Sequence, residues 1–373
     1  MAPPTEVGSG AGSGLLTQRA WHAGAAWQSA AVRVVVFGAG AIGGLVGARL
    51  FQSGVEVTLV ARGAHAEALA QGLVLEAPGE TVTLPIPVVT QADAIRWTDD
   101  TVVLLAVKGQ HTEEALRQLV VAAPRETPIV CMQNGVENER RVLRRFPHTY
   151  GMCVMCPASH LRPGQIVAHS APVSGLLDLG RYPSGVDDLA RTLADTLIAT
   201  TFVSVARPDI MRWKYRKLIM NLANAVEALS GRDGRGAAVA RTAQSEGEEV
   251  LRAAGIEVAS VEEDRERRGD LLQIGTTTSV PRSGGSSWQS LERGTGSIEA
   301  EFLNGEIVLL GALHGVATPV NAMLQTLAVR AAAEGRRAGT WDPEALAAAA
   351  GLADAAGGAG GEGAAGAAEA DGG

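Results

Sequence analysis

Gly38, Gly40 and Gly43 stand in a G-x-G-x-x-G spacing directly behind the apolar run Val34–Phe37, and that spacing suits an anion. The first glycine permits a tight turn, the second lets backbone approach a pyrophosphate, and the third lets a helix pack close to the strand. Ala39, Ala41 and Ile42 complete the turn, and a helix starting there presents unpaired N–H groups and a positive dipole end. A glycine-rich turn with no ligand is the plainer alternative. Arg62 follows the next apolar run, Val55–Val60. A site for NAD(H) usually carries Asp or Glu there to accept from the ribose 2′-hydroxyl, whereas a planar cation suits a 2′-phosphate. The exchange favours NADP(H); a solvated loop arginine is the other reading. Lys217, Asn221 and Asn224 follow at i, i+4 and i+7, so one helix face would carry all three, with Lys214 just before them on the same stripe. Leu218, Ile219, Met220, Leu222 and Ala223 surround them, and a lysine and two amides buried among apolar groups need partners. A ligand is one such partner. If the face is exposed, water is the other.

These residues need elements to hold them. Up to about residue 170, short apolar runs alternate with helical stretches. Val34–Phe37, Val55–Val60, Val102–Val107, Pro128–Met132 and Thr149–Met155 read as strands, with helices after the glycine turn, from about Thr112, and through Val142 and Leu143. Residues 73–89 read as a small hairpin set turning at Pro78-Gly79. Such alternation predicts an open, mostly parallel sheet whose ligands sit outside the carboxyl ends of the strands. Lys108 and Asn134 lie just past two of those ends, although Asn134-Gly135 also fits a simple turn. From Arg207 onward the chain is helix-rich, broken by a Gly/Ser/Thr-rich stretch at 275–287. Pro208-Asp209 opens a helix expected to run through Leu229 and stop at Ser230-Gly231. The fold class expected is α/β, a Rossmann-type N-terminal domain over 32–205, followed by an all-α C-terminal domain over 206–350.

Length and composition bound what such a chain can be. At 373 residues it can bury two domain cores, and 46% hydrophobic with 19% charged residues fits a globular protein. A net charge of −8 gives no bulk attraction for nucleic acid or an anionic membrane, so an anionic small molecule must be drawn by local cations. No apolar run is long enough to span a bilayer. Residues 1–31 lack the basic and apolar parts of a secretory signal and are expected to form a disordered extension. The Ala/Gly/Glu/Asp tract 351–373 is expected to be unstructured as well. Three cysteines cannot make a disulfide framework, which fits a reducing cytoplasm. Cys153 and Cys156 form a C-x-x-C in a strand-like run, where a spacing of three points them to opposite faces. With no second pair to complete a zinc site, no metal is expected.

Taken together and in order, GAGAIGG, LVAR, VKGQ, QNGVEN, KLIMN, the serines before Trp288 and EAEFLNGE resemble the ketopantoate reductases (2-dehydropantoate 2-reductases) from about Val32 to Arg330. The resemblance implies a Rossmann domain joined to a helical domain like the C-terminal part of 6-phosphogluconate dehydrogenase. It also implies reduction of a 2-oxo acid by NADPH in the cleft between them. By position, Gly38 to Gly43 would hold the pyrophosphate, Arg62 the 2′-phosphate, and Lys108 would lie near cofactor and substrate. Asn134 would sit at the nicotinamide and substrate end, and Lys217 would be the catalytic lysine with Asn221 its helix neighbour. Glu299 would be the acid facing the substrate and Ser287 the serine binding its carboxylate. Four positions depart from the pattern. Asn224 comes one residue early for the second helix asparagine, and Tyr215 and Arg216 widen the gap between Trp213 and Lys217. Gly284 stands where an asparagine is common, and His111 where a glutamine is frequent.

The chemistry fits these residue types. Hydride reaching a ketone carbon builds negative charge on the oxygen, which needs a proton and cationic stabilisation. Lys217 can give both if burial lowers its pKa. Glu299 could orient that ammonium or accept a substrate hydroxyl, and Ser287 and Asn134, with Asn221 and Asn224, could bind substrate oxygens. Bland roles stay open: Glu299 on a helix surface, Ser287 as a helix N-cap. Ketopantoate reduction to pantoate in the cytoplasm is the leading expectation. A same-fold NADPH reductase of another 2-oxo or 3-oxo acid and a non-catalytic NADP(H)-binding regulator are the alternatives. The oligomeric state is open, a homodimer included.

Overall fold

The computed structural model describes residues 32–231, 236–275 and 284–352. The expectations for 1–31 and 353–373, and for most of the Gly/Ser/Thr-rich break, lie outside the described residues. The strands are β1 (Arg33–Phe37), β2 (Val57–Val60), β3 (Leu73–Ala77), β4 (Glu80–Leu84), β5 (Val88–Val89) and β6 (Thr101–Leu105). They continue with β7 (Ile129–Cys131), β8 (Thr149–Met155), β9 (Ala158–Ser159), β10 (Gln165–Ala168), β11 (Gly175–Arg181) and β12 (Phe202–Val203). An eight-stranded sheet runs β12-β11-β8-β7-β6-β1-β2-β5, with β11 antiparallel to β8 and the inner strands parallel. β1 is the hinge of this order, with Val34 opposite Val57 on β2 and Val102 on β6. Strand order reverses there, and the carboxyl ends on either side open a crevice.

Both faces of the sheet are covered, which explains the continuous apolar runs. Successive side chains of β1 go to opposite faces. Val34 and Val36 enter one core with Leu45 and Leu59, whereas Val35 and Phe37 enter a second with Leu116 and Leu119. The covering helices are α1 (Ala41–Gln52), α2 (Gly63–Leu69), α3 (Thr112–Ala122), α4 (Asn138–Leu143) and α5 (Asp188–Ile198). The hairpin at Pro78-Gly79 forms as expected, but its strands do not join the main sheet. β3 pairs in parallel with β10, making a separate four-stranded sheet, β4-β3-β10-β9. Of that region, β5 alone pairs with the main sheet, against β2.

The rest is helical: α6 (Ile210–Asn221), α7 (Asn224–Ser230), α8 (Ala237–Ala253), α9 (Val261–Arg268), α10 (Ser286–Glu292), α11 (Asn304–His314), α12 (Pro319–Ala333) and α13 (Pro343–Ala349). Leu218, Leu222 and Leu229 meet Val239, Ile307 and Leu324 in a third core. The helix expected from Pro208 to Leu229 is in fact two, divided at Leu222-Ala223. The fully buried Asn304 stabilises the break: its Nδ2 donates to Leu222 O at 3.2 Å and to Asn321 Oδ1 at 3.0 Å. A contact 82 residues away in sequence lies outside what local spacing reveals.

Charged side chains join the helices to the sheet. Lys214, expected on the stripe of Lys217, is sealed against Glu139 of α4, with the two side chains 2% and 0% exposed. Its Nζ also donates to Gln133 O at 3.1 Å, so α6 grips the loop that carries Asn134. Asp178 on β11 accepts from Arg207 Nε at 2.7 Å and from Arg267 Nε at 2.8 Å, binding α9 to the same sheet edge.

Candidate active site

A cavity of about 800 Å³ opens along the carboxyl edge of the main sheet. Gly38, Arg62, Lys108, Asn134 and Cys156, which follow β1, β2, β6, β7 and β8, all line it. Lys217, Asn221, Asn224 and Glu299 line it from the helical part. Residues separated by up to 261 positions thus meet in one space, and chain order alone gives no hint of that proximity.

The three glycines of the turn stand in different surroundings. Gly38 has φ +108°, in the region that L side chains rarely adopt, and a Cβ there would come 2.7 Å from Val107 N. A Cβ on Gly43 would strike Gly38 O and approach Val36 Cγ1 and Ala106 Cβ at 2.9 Å. Gly43 is therefore a packing glycine and does not line the cavity, unlike Ala39, Gly40, Ala41 and Ile42. Gly40 faces open space, with nothing within 4 Å of an added Cβ, and as N-cap of α1 it gives the helix no side-chain cap. An anion such as a pyrophosphate fits that uncapped, open N-terminus. His65 fastens the turn from behind. Its Nδ1 accepts from Gly164 N at 3.0 Å, so Nε2 carries the proton and donates to Ala39 O at 2.7 Å. Arg62 occupies the N-cap position of α2 without a side-chain capping bond, lies on the cavity wall and makes no ion pair among the described residues.

On the helical side of the cavity, Lys217 Nζ donates to Val154 O on β8. Burial, reinforced by the charge of Lys214, draws its pKa below the ordinary 10.5, while Cys153 acts the other way. Asn221, one turn on, has its Nδ2 buried without a partner among the described residues. A buried orphan donor next to a lysine, in a cavity, is free for a ligand oxygen. Asn224 opens α7 rather than continuing α6, yet it still reaches the cavity. Glu299, 5% exposed, accepts from Gly109 N at 3.4 Å. Lys108 donates to Ser290 Oγ, and burial lowers its pKa against the opposing pull of Glu299.

Ser287 does not stand with these groups. It is 2% exposed and absent from the cavity lining, where its neighbour Ser286 takes the place. One step along a helix turns a side chain by about 100°, so an assignment off by one residue changes its face. Nor is Ser287 an N-cap, because Gly285 fills that position. Several lining residues carried no signal in the sequence, among them His65, His160 and Arg293. The two cysteines face apart as the strand spacing requires. Cys153 Sγ lies 3.7 Å from Trp213 O beneath α6, and Cys156 Sγ lies 3.4 Å from Ser174 O. Burial raises both thiols, Cys156 to about 12, so neither is a thiolate near neutral pH.

Comparison with known proteins agrees with this geometry. Residues 34–184 match the family model for ketopantoate reductase PanE/ApbA, and residues 209–331 match the model for its C-terminal part. The chain is 30% identical over 304 residues to 2-dehydropantoate 2-reductase of Archaeoglobus fulgidus, covering 79% of this chain and 96% of that protein. A crystal structure of a PanE/ApbA family ketopantoate reductase from Ralstonia eutropha superposes with a TM-score of 0.68 at 26% identity, covering 82% of this chain and 99% of that one. D-mandelate dehydrogenase, solved with NADH and anilino(oxo)acetate, shares the fold with a TM-score of 0.70 at 22% identity, over 82% of this chain and 99% of its own. The chain belongs to the ketopantoate reductase family and is an oxidoreductase of the kind that acts on CH–OH groups.

Proposed function

We propose that the protein uses NADPH to reduce a 2-oxo acid to a 2-hydroxy acid, with ketopantoate and pantoate as the pair, a step of pantothenate biosynthesis in the cytoplasm. One observation carries this reading: a single cavity is lined both by the glycine turn and Arg62 and by Lys217, Asn221 and Glu299. The open face at Gly40 would take the pyrophosphate and Arg62 the 2′-phosphate, while Lys108 and Asn134 would border the nicotinamide end. When bound there, the reduced nicotinamide supplies hydride to the ketone carbon.

Lys217 supplies what the oxygen needs. Its ammonium stabilises the charge that grows on the ketone oxygen and hands over the proton that makes it a hydroxyl. A lowered pKa suits this task, since a lysine at 10.5 holds its proton too tightly for rapid transfer near neutral pH. Asn221 offers its unpaired Nδ2 to a substrate oxygen, and Asn224 borders the same space. Glu299 accepts from the substrate or holds the lysine in line. Ser286 takes the part of carboxylate donor that the family resemblance implied for Ser287, because it is the serine on the cavity wall.

NADPH oxidation with ketopantoate, run beside a panel of bulkier 2-oxo and 3-oxo acids, tests the proposal. The highest kcat/KM is expected for ketopantoate. A bulkier acid preferred tenfold or more would assign the protein to another oxo acid, and no turnover with any of them would leave a dinucleotide-binding protein.

A further inference from the structure

Arg293 stands just past α10 on the cavity wall, and no described carboxylate lies within ion-pair distance of it. Its Nε donates to Gln289 O at 3.2 Å and its Nη1 to His160 O at 3.3 Å. A guanidinium has five N–H donors, so the others have no partner among the described residues. Its surroundings place it in the cavity. The His160 ring lies 4.0 Å from that of His65, and His65 Nε2 holds Ala39 O at 2.7 Å. Arg293 thus stands one histidine pair away from the glycine turn, and its charge reaches both rings. Burial lowers the pKa of both histidines, His160 to about 3, so both are neutral near pH 7 and the fixed positive charge there is Arg293. Arg293 also lies within electrostatic reach of Lys108 and Glu299, while His111 feels Arg62, Lys108 and the same Glu299.

A glycine turn and helix N-terminus offer N–H groups from one side only, whereas a pyrophosphate carries charge on both phosphates. We propose that Arg293 is a cofactor-binding residue supplied by the helical part of the chain, which holds the dinucleotide pyrophosphate against the Gly38–Gly43 turn. The proposal rests on the nicotinamide dinucleotide reading above. It assigns the pyrophosphate rather than the 2′-phosphate, which Arg62 takes, and rather than the substrate carboxylate, which lies towards Lys217. The cofactor then bridges the sheet and the helices.

Calorimetric titration of the full chain with NADPH, NADH and adenosine 2′-phosphate separates these sites, because the last has no pyrophosphate. Arg293→Gln should weaken NADPH and NADH alike, by about 10- to 100-fold, the worth of a charge-assisted contact. Adenosine 2′-phosphate should stay within about twofold, which also shows that the variant is folded. Arg293→Lys should recover part of the loss, since it keeps the charge but not the fork. Unchanged dinucleotide affinity in Arg293→Gln overturns the proposal. So does a loss confined to NADPH and adenosine 2′-phosphate, or one seen only in KM for the oxo acid. Native protein that binds neither dinucleotide overturns the cofactor reading itself, a result distinct from all of these.

Discussion

Two glycines of one turn should fail in different ways when each gains a single methyl group. At Gly43 the new Cβ meets Gly38 O, a backbone atom that cannot swing away, together with Val36 Cγ1 and Ala106 Cβ at 2.9 Å. Overpacking costs about 1–3 kcal/mol, and a backbone clash belongs at the upper end. Alanine in a helix returns about 1 kcal/mol relative to glycine. The net expectation for Gly43→Ala is a loss of about 2 kcal/mol, with NADPH affinity falling as α1 moves away from β1. At Gly40 the new methyl enters open space, and φ −71° is acceptable to alanine, so stability should stay within about 0.5 kcal/mol. The space it fills is where the pyrophosphate would approach, so NADPH should weaken tenfold or more. Urea unfolding at constant m, paired with NADPH titration, measures both terms. Equal stability losses for the two variants would refute the division of roles, as would a Gly40→Ala protein that binds NADPH like the native one.

Three further outcomes follow from single side chains. Arg62→Ala should weaken NADPH by about 10- to 100-fold and leave NADH nearly unchanged, as read by fluorescence titration; equal losses would remove Arg62 from the 2′-phosphate. Lys214→Met strands a fully buried Glu139 charge and should cost about 3–5 kcal/mol in urea unfolding, most of it recovered by adding Glu139→Leu. If the single variant is as stable as the native protein, the buried pair does not join α6 to α4. Burial lowers the Lys217 pKa, so its ammonium is present below that value and lost above it. The alkaline limb of kcat/KM should therefore lie below pH 10.5 and vanish in Lys217→Ala, and a limb at 10.5 would mean an exposed lysine.

The sheet was easy to read because its signal is local. Val34–Phe37 is apolar at every position because both faces of β1 are buried, and the glycine turn follows in the next residue. Lys108 and Asn134 could be placed at the mouth because every carboxyl end of a parallel sheet faces the same way. What could not be read depends on contacts between distant parts. The break at Leu222-Ala223 is stabilised by Asn304, and the burial of Lys214 depends on Glu139, 75 residues earlier. Ser286 and Ser287 differ by one step of a helix whose N-cap, Gly285, has no side chain to mark it. Arg293 and the His65–His160 pair come from separate segments, each unremarkable in its own stretch of sequence.

The most direct test is steady-state turnover of ketopantoate and NADPH by native protein and Lys217→Ala, with NADPH affinity measured on both. The variant keeps the glycine turn and Arg62 and loses only the proton donor. Its kcat should fall by about 10²–10⁴-fold while NADPH affinity stays within a few-fold of native. Near-normal kcat in Lys217→Ala would contradict a catalytic lysine in this cavity.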